Sequence, residues 1–545
     1  MKSRYTRLIG VLVFLTVSRS VVFGCTNFLI SAGASTDGST MITYSADSHE
    51  LYGALYYYPA GQHQPGTLRD VYEWDTGRFL GRIPEAPVTY SVVGNMNEHQ
   101  VSIGETTWGG RPELQDSTAI LDYGSLMFIA LQRSKTAREA IHVITDLVAK
   151  YGYWSSGESF SIADPDEVWI FEIIGKGPGN TGAVWVARKV PDGFICAHAN
   201  YSRIRRFPLN DKKNCLYAED VISFAREKGY FSGEDADFSF SAAYAPPDFG
   251  ALRFCEARVW SFFRRAAPSL NLSIDFALGK PEAGPYPLWI KPDHKLSVHD
   301  VMELMRDYFQ DSPMDLSKGI GAGPYCLPYR WRPLTWEVDS VEYLNERSTS
   351  TQQTGFSFVA QMRSWLPDPI GGVHWFGVDD TYSTVYTPMY CGILKAPHAF
   401  AVGTGDFQTF SWESAWWVFN WVANFAYLRY CDMIQDIQVV QRELEGKFLA
   451  RQHEIDEAAM ALYRQSPMLA RDYLTEYSSA AGREVHARWK KLGEFLIYKY
   501  IDGNVKDEHG HYTQPGYPES WYRRIAEEDG EILRYTPLPG EGESH

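Results

Sequence analysis

The chain has 545 residues, 45% hydrophobic and 22% charged, with 51 basic against 67 acidic side chains and a formal net charge of −16. This is the composition of a folded, soluble chain, long enough for one large domain with additions or for several. Its acidity repels phosphate backbones and argues against nucleic acid as a partner. Aromatic residues make up 15% and are spread along the whole chain, which reads as an aromatic-rich core rather than one aromatic-walled cleft.

Residues 1–24 read as a signal peptide. Lys2, Arg4 and Arg7 form a basic start, and the apolar run "LIGVLVFLTV" at 8–17 follows. That run is too short to span a bilayer, which takes roughly 20 residues. Val22 and Gly24 suit cleavage between Gly24 and Cys25. Losing this segment removes four basic residues and no acid, so the mature chain is still more acidic. No other apolar stretch is long enough for a membrane span. The expectation is an exported protein, periplasmic or extracellular.

From Cys25 onward short β-like runs dominate, "TNFLISAG", "STMITYSA" and "GALYYYPA", separated by turn residues. Residues 88–108 read as two strands around a polar turn. Two helices are predicted over 118–150, the second opened by a Thr136–Glu139 capping box. Strands return at "SFSIAD", "EVWIFEII", "GAVWVARKV" and "GFICAHAN", the middle two forming a hairpin. The 230–350 region is rich in Pro, Gly and aromatics and loop-heavy, with helices at "LRFCEARVWSFFRRAAPSL" and "SVHDVMELMRDYF"; "GFSFVAQMR" and "STVYTPMYCGI" are strands again. Near the end, Ser466 and Pro467 start a helix. Its stripe Leu469, Tyr473, Tyr477, Ala481, Val485, Trp489, Leu492 and Leu496 is expected on one core-facing side, with Gly503 as the stop. The order of strands, helices and strands suits an α+β layered fold. The organisation is a leader (1–24), a catalytic domain (25–410), a helical region packed on it (411–505) and a polar tail (506–545).

Several chemistries find no support. There is no GxSxG, no HExxH and no CxxC, and the 14 His show no metal-ligand spacing. One GxGxxG, "GPGNTG" at 177–182, joins two strands and precedes no helix, so it reads as a hairpin turn. Seven cysteines occur. Setting Cys25 aside leaves six, an even number compatible with disulfides in an oxidising compartment, but spacing assigns no pairs.

Cys25 itself has three readings: lipid anchor, disulfide partner, or nucleophile. If cleavage precedes it, one residue carries both a thiol and a free α-amine. An α-amine titrates near pH ~7.7–8.0, so at neutral pH part of it is unprotonated and takes up the thiol proton. No distant histidine is then required. Acylation of that amine, as in a lipoprotein, would remove the base, so the anchored binding protein and the enzyme exclude each other. "VFGC" fits the lipoprotein pattern at Val22 and Gly24, but Phe23 is bulky for it.

"CTNFLISAGASTDGSTMITYSAD" resembles the mature start of the dipeptidase A family of cysteine peptidases, N-terminal-nucleophile (Ntn) hydrolases related to secernins and choloylglycine hydrolases. Similar segments follow in the family's order: "NMNEHQVSIGETTWGG", "AHANYSRIRRF", "EARVWSFFRRA" and "GGVHWFGVDDTYSTVYTPMY", with "RWKKLGEFLIYKYIDG" near the end. The resemblance implies a four-layer αββα sandwich with a helical C-terminal extension, and a cysteine dipeptidase working through a thioester without metal or organic cofactor. It implies Cys25 as nucleophile, Asp47 as the acid that holds the N-terminus, Asn200 as oxyanion donor and Arg258 as electrostatic support. A backbone N–H near Thr107 is the second oxyanion donor, and Glu105 is a candidate to receive a substrate amine. Tyr44 departs from the pattern: the family resemblance leads one to expect Arg or Lys three residues before the acid, and a phenol supplies no positive charge to lower a thiol pKa. The substrates implied are dipeptides, or in a second reading other small amides, N-acyl amino acids or conjugated bile acids; an oligomer is compatible with either.

Overall fold

The computed structural model describes residues 24–538. The predicted leader, Gly24 excepted, and the last seven residues of the predicted tail lie outside the described residues. The protein is an α+β fold built on two large sheets.

The first sheet has seven strands. At its centre Asn27–Ile30 lies beside Thr40–Asp47, which in turn pairs antiparallel with Thr354–Met362. Ile195–His198 continues it on one side, Val373–Val378 and Thr387–Tyr390 on the other. The second sheet has eight strands, chiefly Ser102–Trp108, Gly157–Ala163, Val168–Gly175 and Ala183–Lys189 in antiparallel succession. The two sheets pack face to face, with Thr40–Asp47 against Ser102–Trp108 and Gly157–Ala163, and Asn27–Ile30 against Val168–Gly175. Helices Tyr123–Arg133 and Ala137–Tyr151 lie on the second sheet; Ala257–Ala266, Val298–Met305, Ala415–Ala426 and Pro467–Tyr500 lie on the first.

This double coverage explains a feature of the strands. Every residue of Thr40–Asp47, Thr354–Met362 and Val168–Gly175 is buried. Polar side chains between the sheets must therefore find partners there. His198 is the clearest case: its ring lies within hydrogen-bonding distance of Asn27, Thr106 and Ser161, at 3.4, 2.7 and 2.8 Å, and so ties both sheets together. Burial lowers its pKa to about 3, so the ring is neutral and acts as a cross-link, not a base.

The hairpin over 168–189 forms as the pattern predicts, with positive φ at Gly177, Gly179 and Gly182 of its "GPGNTG" turn. Elsewhere the structure corrects the reading. In the region 88–108 only Ser102–Trp108 is a full strand; the stretch before it breaks into the two-residue strands Val88–Thr89, Val92–Val93 and Met96–Asn97. The first helix begins only at Tyr123, where Asp122 caps it. Thr136 caps the second by accepting from the Glu139 N–H, but Glu139 returns its bond to Lys135 N–H rather than to the cap residue, so the box is displaced by one residue.

The last long helix starts as expected, with Ser466 capping and Pro467 first, and runs to Tyr500; Gly503, at φ 76°, closes a short turn after it. Its expected stripe does not stay on one face. Ala481, Val485, Trp489, Leu492 and Leu496 are buried, but Leu469 is 44% exposed, and Ala470 and Leu474 are buried in its place. At about 100° per residue, successive steps of four drift by about 40° each, so Leu469 lies about 200° around the helix from Trp489. The polar tail carries a helix of its own, Glu519–Leu533. No helix among the described residues is long and apolar enough to cross a membrane. All seven cysteines are free thiols.

Candidate active site

Cys25 stands one residue before the bridge that joins Thr26 to Ser45, at the edge where residues 24–26 run antiparallel to 45–47. The Gly24 N–H donates to the Asp47 carbonyl at 3.0 Å, and the Thr26 and Ser45 main chains exchange bonds of 3.3 and 3.0 Å. Strand pairing alone therefore brings Cys25 and Asp47 together.

The thiol is buried and faces a cavity of about 330 Å³ lined by Tyr44, Asp47, Asp75, Glu105, Thr107 and Tyr123 among others. Its Sγ lies 3.5 Å from Glu105 Oε1 and 3.8 Å from the Tyr44 hydroxyl. Tyr44 donates to the same Glu105 oxygen. Burial pushes the thiol pKa well above its ordinary value, and the negative charges of Glu105 and Asp47 push it the same way. A backbone hydrogen bond from Asp47 and the Tyr44 hydroxyl oppose this only in part. With residue 24 attached, Cys25 is a neutral thiol.

Asp47 is enclosed. One oxygen pairs with Arg347 at 2.5 Å and accepts from Ser45 at 3.1 Å; the other accepts from Thr354 at 2.6 Å. Arg347 also donates to the Gly24 carbonyl, so a single guanidinium grips both Asp47 and the residue preceding Cys25. Sequence reasoning missed Arg347. It lies 300 positions from Asp47 in an irregular segment, and the one signal pointing to it was Tyr44, where a cation was expected and absent.

Arg258 is fully buried on the helix Ala257–Ala266 and donates to the Cys25 carbonyl, to Thr26 Oγ1 at 2.8 Å and to Asn200 Oδ1 at 2.9 Å. Burial, with the nearby charge of Arg347, lowers its pKa to about 10, which leaves it charged at neutral pH. Asn200 follows the strand Ile195–His198 in a left-handed conformation, φ 58°, a region Asn tolerates better than most residues. Its amide donates to the Thr107 carbonyl at 2.7 Å. Because Arg258 occupies Oδ1, the amide group is fixed in orientation and keeps one N–H uncommitted.

Asn200, Arg258, Arg347 and Gly24 line a second cavity, also of about 330 Å³, together with Trp108. The residues expected at the site thus divide. Cys25, Asp47, Tyr44, Glu105 and Thr107 line the first cavity; Asn200 and Arg258 line the second; the Gly24–Cys25 link stands between them. The helix carrying Arg258 and the segment carrying Asn200 are clamped by the buried pair Arg203–Glu256 at 2.6 Å.

Behind Glu105 lies a second carboxyl that sequence reasoning did not single out. Glu158 is buried, sits opposite Thr107 in the sheet and accepts from the Thr107 hydroxyl at 2.9 Å. Burial pushes its pKa well up and the adjacent Glu105 pushes it further; Glu105 is raised too, again chiefly by burial. The hydrogen bond between the two carboxyls pushes Glu158 up and Glu105 down, so Glu158 is the one that holds the proton and donates it to Glu105. Among the described residues no group of three or more His, Cys, Asp or Glu side chains is arranged to hold a metal ion.

The family model of Peptidase family C69 matches residues 24–443 of this chain. A "Probable dipeptidase" of Salmonella dublin is 24% identical over 401 residues, covering 68% of this chain and 82% of its own. A "Probable dipeptidase" of Latilactobacillus sakei is 24% identical over 371 residues, covering 65% and 71%. A "Probable dipeptidase B" of Streptococcus pyogenes serotype M1 is 21% identical over 513 residues, covering 90% and 96%.

Proposed function

The chain belongs to Peptidase family C69 and is a cysteine peptidase, and from that premise we propose an exported dipeptidase whose nucleophile is Cys25, made N-terminal by removal of residues 1–24. The observation that carries the reading is the state of Cys25. Its thiol is neutral, it opens on a cavity of dipeptide size, and no Lys, Arg or His is hydrogen-bonded to its sulfur among the described residues. A base is therefore needed, and the α-amine freed by cleavage is the group that stands beside the thiol.

In this mechanism the α-amine takes the thiol proton and the thiolate attacks the peptide carbonyl. The resulting oxyanion is met by the uncommitted N–H of Asn200 and a backbone N–H near Thr107. The ammonium then protonates the leaving amine, and water hydrolyses the thioester. Arg258 holds Asn200 and the Cys25 carbonyl in place. Asp47, paired with Arg347, holds the new N-terminus; Arg347 supplies from the far side the charge that Tyr44 lacks. Gly24, lost on cleavage, lines the second cavity with Asn200, and Cys25 lines the first. The two facing sheets with helices outside them support an Ntn-type αββα sandwich.

The test is Cys25→Ala in a chain whose N-terminus has been verified by intact mass. The expected result is no dipeptide hydrolysis, and full activity would sink the proposal. The mass of the wild-type N-terminus tests the premise of a free amine: an unmodified Cys25 is expected, while two or three acyl chains on it would replace the enzyme with a lipid-anchored protein.

A further inference from the structure

Cys326 and Cys431 stand apart from the other cysteines. Cys25, Cys196, Cys215, Cys255 and Cys391 are buried, whereas Cys326 is exposed and Cys431 half-buried. Three of the buried thiols are bonded to main-chain carbonyls, Cys196 to Ala197 at 3.9 Å, Cys255 to Asn200 at 3.4 Å and Cys391 to Asp368 at 3.0 Å. The thiols of Cys326 and Cys431, far apart in the sequence, are hydrogen-bonded to each other.

The main chain fixes this meeting. Cys431 is the second residue of the helix Tyr430–Tyr463, so its N–H has no acceptor within the helix. It donates instead to the Tyr325 carbonyl at 3.0 Å. With standard bond lengths that bond leaves the Cα atoms of Cys326 and Cys431 at most about 7 Å apart, and a disulfide spans roughly 4.4–6.8 Å. Neighbouring side chains hold the segment to the start of the helix. The Arg429 guanidinium lies 4.8 Å from the Tyr325 ring centre, and Tyr329 packs edge-on against Tyr427 and Tyr430. Cys326 itself has φ 57°, a left-handed conformation in which Gly or Asn is the usual choice. The turn alone gives no reason for a cysteine there.

We propose that Cys326 and Cys431 form a disulfide in the exported enzyme, stapling the segment that follows Cys326 to the first turn of the helix. This rests on the export reading, because the oxidant is a disulfide of the glutathione or dithiol-oxidase class, met outside a reducing cytosol. The deprotonated Cys326 sulfur attacks that disulfide and releases one thiol. The Cys431 sulfur, deprotonated in turn, attacks the mixed disulfide at Cys326 and releases the second. Two electrons and two protons leave the pair and reduce the incoming disulfide to two thiols. The stapled segment borders the site: Trp331 and Arg332 on it line a cavity of about 380 Å³ that shares Ser48 and Leu51 with the cavity before Cys25. The loop closed by the bond, roughly 100 residues, carries Arg347 and the strands Thr354–Met362, Val373–Val378 and Thr387–Tyr390.

The experiment takes the protein from expressing cells, reads its N-terminus by intact mass, equilibrates it with oxidised glutathione, alkylates the remaining thiols in denaturant and maps the peptides. The result expected is one cross-link, between the peptides of Cys326 and Cys431, with two fewer alkylated thiols than the seven of the reduced chain. Cys326→Ser should lose it. Reduction should lower the melting temperature of the wild type by about 4 °C, the effect of so long a loop spread over a chain of this size, and leave that of Cys326→Ser unchanged. Both thiols free after glutathione, in a chain that begins at Cys25, would overturn the disulfide and leave export standing. Pairing in glutathione by a chain that retains residues 1–24 would overturn export and leave the pair standing. A cross-link to any other cysteine, or a melting temperature indifferent to reductant, would overturn the staple.

Discussion

Replacing Arg347 by Leu tests the assignment of this residue as the counter-charge of Asp47. The two side chains are bonded at 2.5 Å and are 3% and 1% exposed. Their charge centres lie about 4 Å apart, which at an effective dielectric constant of ~20 corresponds to an attraction of about 4 kcal/mol. Loss of the guanidinium also relieves its repulsion of Arg258, the effect that helps to lower the Arg258 pKa. Asp47 retains the Ser45 and Thr354 hydroxyls as donors. The net cost is therefore about 3 kcal/mol, at the low end for breaking a buried pair. The assay is a double-mutant cycle in urea with Arg347→Leu, Asp47→Asn and the double variant. The double variant should be less destabilised than the sum of the singles by about 3 kcal/mol. Additivity within about 0.5 kcal/mol would refute the reasoning, and the charge expected at Tyr44 would then have to be replaced from elsewhere.

Asp379 is fully buried beside Asp380, which raises its pKa to about 8, mainly through burial. The unfolded chain releases this proton near pH ~4 and the folded chain retains it to about 8, so the stability it supports is present at low pH and is lost as pH rises, by up to about 1.4 kcal/mol per pH unit. Asp379→Asn keeps a partner for Asn420, and its urea midpoint should change less between pH 5 and 8 than that of the wild type; parallel curves would count against this. Gly157 lies opposite Trp108 in the sheet, and a Cβ there would come within 2.0 Å of the indole ring, which the Ser159 hydroxyl holds at 3.0 Å. Gly→Ala in a strand ordinarily stabilises by roughly 0.5–1 kcal/mol, but Gly157→Ala should destabilise by about 1–3 kcal/mol, read from the same urea melts. Trp489 is buried and stacks on Phe419 with centroids 4.4 Å apart; Trp489→Ala should cost about 3–5 kcal/mol, and a melting temperature equal to that of the wild type would show that the helix Pro467–Tyr500 does not contribute to the core.

What was legible in the sequence follows from how local each feature is. The hairpin over 168–189 is two apolar runs around a glycine turn, and the start of the last helix is a Ser-Pro cap; both are set by neighbours in the chain. The burial face of that helix was misread because it is set by partners such as Trp421, against which Gly493 packs too closely for any Cβ. At the site, Cys25 was singled out by its position after the predicted leader, and Asp47 by the family resemblance. Arg347 was not, because only the pairing of Thr354–Met362 with Thr40–Asp47, where Thr354 stands opposite Asp47, carries that segment to the acid. Glu158 was hidden for the same reason, as its position opposite Thr107 is a fact of register.

Tyr44 connects these observations. A lysine or arginine there would sit within reach of Glu105 and neutralise it. The phenol donates a single hydrogen bond to Glu105 and leaves its charge in place, while Arg347 provides positive charge on the opposite side, at Asp47 and Gly24. With the cation at position 347 rather than 44, Asp47 and the Gly24 carbonyl are gripped by a guanidinium while the carboxylate beside Cys25 has no basic partner among the described residues.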